Sequence, residues 1–149
     1  TILWLIFGSP VVEVPVQFEH LPQLDLVLLS PEVDLGAILP GEDVKIFPAA
    51  FQLVVHSNVP WVLRMEMAEE LLSDDGVRLR DKLWVKPFGG DRFLPLERAK
   101  GVVVAEGQAT PETGVLVSVD LRLDMGWSDP AGFFRGKVLF TLEEHEGHK

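Results

Sequence analysis

The stretch VLVSVDLRLD, residues 115 to 124, decides the fold class. Val115, Val117, Val119, Leu121 and Leu123 fall on one face of an extended chain, and Asp120, Arg122 and Asp124 on the other. Successive side chains of a strand point to opposite sides, so this two-residue period reads as a strand lying half-buried on a core. The same period recurs in VVEVPVQF (Val12, Val14, Val16, Phe18), in WVLRMEM (Trp61, Leu63, Met65, Met67) and in FRGKVLFTLEE (Phe134, Val138, Phe140, Leu142). It also runs through VRLRDKLWV (Val77, Leu79, Leu83, Val85), where Asp81 breaks the face.

Turn signals stand between these runs: LPGED at 39 to 43, SDDG at 73 to 76, FGGD at 88 to 91, TPETG at 110 to 114 and SDPAG at 128 to 132. All but TPETG, which carries Thr in that place, join a proline that presets φ, or a glycine that takes positive φ, to an Asp or Ser that bonds its own backbone. Short strands with a turn about every ten residues predict an all-β protein, an Ig-like or jelly-roll β-sandwich with an N-terminal extension strand. Residues 1–10 then form that strand and its linker, and residues 11–149 the sandwich domain. One segment is a helical candidate, MAEELLSDDG, residues 67 to 76, with Met67, Leu71 and Leu72 inward and Gly76 as its stop; it reads as a single helical turn or as a bent connection.

The chain has 149 residues, enough for one domain with a sizeable core. Its 13 Lys and Arg against 23 Asp and Glu give a formal charge of −10, a field that repels phosphate backbones and makes nucleic acid an unlikely partner. No apolar run approaches the roughly 20 residues that cross a bilayer as a helix, so no membrane span is expected. There is no cysteine, which removes disulfides and thiolate chemistry together. A single asparagine, Asn58, beside 11 prolines hints at a hot environment.

Signatures of catalysis are sparse. The histidines are His20, His56, His145 and His148; the last two, with Glu144, form a charged tail whose spacing matches no closed metal site. Ser57 follows His56, but adjacent strand residues point apart, and no serine sits in a nucleophile elbow. Glu42 with Asp43, Asp74 with Asp75, and Asp124 with Asp129 offer hard oxygens without a calcium-loop spacing, and they read better as turn residues. The expectation is therefore a protein that is not an enzyme and has no cofactor and no resident metal. Trp61 shares the parity of Leu63 and belongs to the core, whereas Trp84 and Trp127 are candidate surface contacts for a glycan.

Three stretches resemble the β-sandwich subunits of secreted surface filaments and pili: SNVPWVLRMEM (57 to 67), WSDPAGFFRGKVLFTL (127 to 142) and LDLVLLSPEVDLGAILPGEDV (24 to 44). The resemblance to these pilin-like and spore-coat-like subunits covers about half the chain. It implies an extracellular, cell-surface homopolymer in which the terminal strand of one subunit completes the sheet of the next, the strand-addition mode of recognition.

Carried over by position, the donor strand is Ile2, Leu3, Trp4, Leu5, Ile6 and Phe7, joined through Gly8, Ser9 and Pro10. Trp61, Leu63, Val117, Val119, Val138 and Phe140 are then the candidate acceptor groove or core. The opening run is apolar on both faces, which an edge strand in water is not. It reads as a strand given to a neighbour, as a central strand of its own sheet, or as the end of a signal segment. The competing function is a monomeric surface domain binding glycans through Trp84 and Trp127, and the acidic surface is a candidate for cation bridging.

Overall fold

A computed structural model of the chain describes residues 10–30 and 32–145. These residues form no helix; nine strands make two antiparallel sheets packed face to face, a β-sandwich arrangement. The first sheet runs in the order β1 (Leu24–Leu28), β2 (Val44–Ser57), β8 (Val115–Asp124), β5 (Leu83–Lys86) and β6 (Leu94–Pro95). In the second, β3 (Trp61–Ser73) is central, with β7 (Val102–Gly107) and β4 (Arg78–Leu79) on one flank and β9 (Phe134–Glu144) on the other.

The alternation of β8 has its expected consequence: Val117, Val119, Leu121 and Leu123 are buried, and Ser118, Asp120, Arg122 and Asp124 turn outward. They meet Phe51, Leu53 and Val55 of β2, and Trp61, Leu63, Met65 and Met67 of β3, in one apolar cluster. Each such side chain, taken fully from water, contributes about 1.5–3 kcal/mol. Two polar groups at the cluster's margin are satisfied: the Trp61 indole donates to the Gln108 carbonyl at 2.9 Å, and the Ser57 hydroxyl donates to the Val59 carbonyl at 2.6 Å.

Between Phe47 and Phe51 the β2–β8 register slips, and Ala49 takes a φ of 50°. Its N–H donates to Asp120 Oδ1 at 2.7 Å, so the side chain of the facing strand replaces the ladder bond the irregularity removes.

Three expectations are corrected. The helical candidate at 67 to 76 is strand through Ser73, with only a hydrogen-bonded turn from Ser73 to Gly76. Pairing with β9 along the whole length of β3 outweighs the helical preference of Ala68, Glu69 and Glu70, which is accommodated by register slips after Met67 and Glu69.

VRLRDKLWV is not one strand but two in different sheets, β4 and β5. Asp81, at a φ of 59°, makes the crossing, and its break in the apolar face marks the change of sheet. Lastly, VVEVPVQF forms no strand: residues 10–23 carry no regular structure and are exposed at every position. Alternation gave it one apolar face, but no described strand lies alongside to cover that face.

Candidate functional site

The feature of the sandwich that asks for a partner is its seam along β9. This eleven-residue strand pairs only with β3; among the described residues nothing bonds to its other edge. The flank opposite is better protected, since β7 receives the Phe88 N–H on its Val104 carbonyl at 2.7 Å, and the far end of the first sheet is the two-residue β6. A long bare edge is a template for another strand.

The side chains of β9 follow the same logic. Val138, Phe140 and Leu142 point inward and pack against the core, with the Phe140 ring edge-on to Phe51 at 5.6 Å, yet all three remain half-buried. Across the seam lies β1, whose Leu28 is inward by register with Leu53 but still 42% exposed. Gly136 lies on the inward face of β9, where a Cβ would stand 3.0 Å from the Glu69 carbonyl oxygen and 3.1 Å from Met67 Cε. Glycine lets β9 stay close to β3 over the slipped register, because β3 atoms occupy the space a side chain would need.

The chain before β1 provides a second unusual surface. Val12 and Val16 are each 82% exposed and Phe18 is 88% exposed. The root of this arm is fixed: Asn58 Oδ1 accepts the Gln23 N–H at 2.8 Å, Asn58 Nδ2 donates to the Leu21 carbonyl at 3.0 Å, and the Asn58 N–H donates to the Gln23 carbonyl at 3.3 Å.

Of the residues singled out from sequence, Trp61, Leu63, Val117 and Val119 are in the closed core, and Val138 and Phe140 line the seam. Pro10 is exposed, and residues 2–7 with Gly8 and Ser9 lie outside the described residues. Trp84 and Trp127 differ in character. Trp84 is half-buried on the outer face of the first sheet, with the Arg122 guanidinium 4.6 Å from its ring centre, whereas Trp127 is 76% exposed in the turn after β8. Arg122 also reaches Phe93, at 5.4 Å, and both oxygens of Asp124 at 2.9 Å.

The acidic turns are largely occupied by their own bonds. Glu42 accepts the Leu39 N–H at 3.1 Å; Asp129 Oδ2 accepts from Lys82 Nζ at 2.8 Å and from the Gly126 N–H at 2.7 Å. The Lys82 hydrogen bond, followed by that from Gly126, holds the Asp129 carboxyl below the usual aspartate range. Among the described residues no group of three or more His, Asp or Glu converges to hold a metal. His20 is exposed and His56 is half-buried on the outer face opposite Asp25, and His148 lies outside the described residues.

No protein-family model matches the chain, and no curated protein matches it.

The signal that sequence reading missed was in plain view: residues 11–18 carried the period of a strand, and β9 carried that of a half-buried strand. That among the described residues one lacks a cover and the other an outer neighbour depends on pairings distant in sequence.

Proposed function

We propose that this protein is a structural subunit of an extracellular filament, an Ig-like or jelly-roll sandwich that polymerises by giving its N-terminal segment to the sheet of the next copy. The observation that carries the reading is the edge of β9, unpaired among the described residues, with its half-buried Val138, Phe140 and Leu142. An added strand would satisfy the bare N–H and C=O groups and cover those side chains in one step. The pilin-like stretches of the sequence favour the same reading.

Insertion of one subunit's segment into another is a heterologous contact, and where the rotation does not close a ring it makes a fibre. The function is then mechanical, without turnover or cofactor, and the partner is a second copy of the chain. Electron microscopy of the purified chain tests it: fibres are expected, and a chain lacking residues 1–19 should be monomeric by light scattering. A full-length chain that is monomeric and shows no fibres at any concentration would sink the reading.

Trp127, fully presented at a turn, favours a second reading as a surface glycan-binding domain. Quenching of tryptophan fluorescence by a sugar, abolished in Trp127→Ala, is its test. The stacked position of Trp84 makes Trp84→Ala the weaker variant.

A further inference from the structure

Resting on the assembly reading, we infer which strand is exchanged and how it is seated: residues 11–18 of one copy pair antiparallel with β9 of the next. In this arrangement Val12 lies opposite Leu142, Val14 opposite Phe140, Val16 opposite Val138 and Phe18 opposite Gly136.

Direction comes first. Leu24 pairs with Ser57, Trp61 pairs with Glu144, and Asn58 clasps Leu21 and Gln23, so the root of the arm lies at the pole of the sandwich where β9 ends. Residues 10–20 are exposed throughout, so in the free subunit they do not run back between its own sheets. In a second copy seated beyond that pole in the same orientation, β9 runs away from the first subunit while the arm, read from N to C, runs toward it. The pairing is therefore antiparallel, and the root side of the arm meets the Phe134 end of β9. A folded-back arm pairing with its own β9 would instead be parallel.

Register follows from side chains. Inward-facing positions of β9 are even-numbered through Val138, Phe140 and Leu142, and the apolar positions of the arm are even-numbered through Val12, Val14, Val16 and Phe18. With Phe18 opposite Gly136, the largest side chain of the arm covers the one inward position of β9 that has none, the way an aromatic residue shields a glycine at an edge. The same register sets Glu19 opposite Arg135, whose guanidinium forms no ion pair with a described carboxylate.

Shifting the register by two in one direction puts Glu13 opposite Glu143, a like-charge pair that destabilises a ladder. Shifting it the other way puts Glu13 against Leu139 and Glu19 against Phe133. Seven residues of strand span about 23 Å, enough to cover β9 from Gly136 to Leu142. Pro15 lacks an N–H, but the added strand is itself an outer one, where proline is tolerated.

The native chain has no cysteine, so paired substitutions read the register without background. Directly opposed residues in an antiparallel pair have Cα atoms about 4.5–5.5 Å apart, within disulfide range. A Gln17→Cys chain mixed with a Lys137→Cys chain under mild oxidation should give a covalent dimer, and mixed with a Glu143→Cys chain should not. Val14→Lys with Val16→Lys should abolish fibres while leaving the melting temperature of the subunit unchanged, and removal of residues 1–8 should leave fibres intact.

Fibres that form without the 17–137 link, or that survive the double lysine variant, would overturn this register and leave the filament reading standing. Fibres lost on removing residues 1–8 would place the exchanged strand at residues 2–7 instead. A native chain that never leaves the monomer would overturn the filament reading and this inference with it.

Discussion

β8 and β9 carry the same alternation, but they end in different surroundings. β8 has β2 on one side and β5 on the other, and its inward Val117 and Val119 are fully buried. β9 has β3 on one side and no described strand on the other, and its inward Val138, Phe140 and Leu142 are only partly buried. The period of the sequence settles which way each side chain points. The number of neighbouring strands settles how far water is excluded, and it depends on residues far away in the chain.

The largest effect should separate these two environments directly. Leu63→Ala, in the closed core, is expected to cost about 2–5 kcal/mol in urea unfolding, the range for emptying a buried leucine site. Leu142→Ala, at the seam, should cost about 1 kcal/mol or less in the monomer, because a half-exposed side chain forfeits less transfer energy and leaves no closed cavity. Equal costs in the monomer would break the comparison. A Leu142→Ala cost that grows in assembled material would sharpen it.

Gly136→Val comes next, at about 1–3 kcal/mol destabilising, since the added Cβ would press on the Glu69 backbone oxygen and β9 would have to move off β3. Hydrogen exchange should report that loss along β9 before it appears in β8. Asp81 sits at a φ of 59°, where glycine is free of strain, so Asp81→Gly should leave thermal stability unchanged or raise it by about 1 kcal/mol. A large loss there would mean that the crossing between sheets depends on the side chain as well as the backbone.

The smallest effect concerns the link between β8 and β9, tied by Lys82 and Asp129 at 2.8 Å. Asp129 is held below its ordinary range by Lys82, so its contribution to stability is present above that range and is lost as pH falls through the lowered value. Asp129→Asn should therefore lower the melting temperature slightly at neutral pH, and the difference from the native chain should vanish in strong acid. A difference that persists in acid would assign the effect to packing.

Much of the sandwich is legible from side-chain period alone. β8, the first half of β3 and the inward set of β9 follow from it, as do turns such as Ser73 to Gly76. The second half of β3 is not, because Ala68, Glu69 and Glu70 favour a helix locally and only the partner strand overrides them. The crossing at Asp81 shows in the sequence as a broken face, but a break cannot say that the chain changes sheets. The seam is half legible: the apolar positions of β9 are visible, and its place at the end of the second sheet is not. Residues 11–18 are the reverse case, a strand by pattern with no neighbouring strand among the described residues.

Asn58 is the chain's sole asparagine, and its carboxamide faces a carbonyl on one side and an N–H on the other. The root of the arm therefore depends on an amide at this one position. Hydrolysis of this one amide to a carboxylate would keep the acceptor toward Gln23 and set a negative oxygen against the Leu21 carbonyl, turning an attraction into a repulsion. Asn58→Asp would then loosen the root of the arm and leave the apolar core of the sandwich as it is.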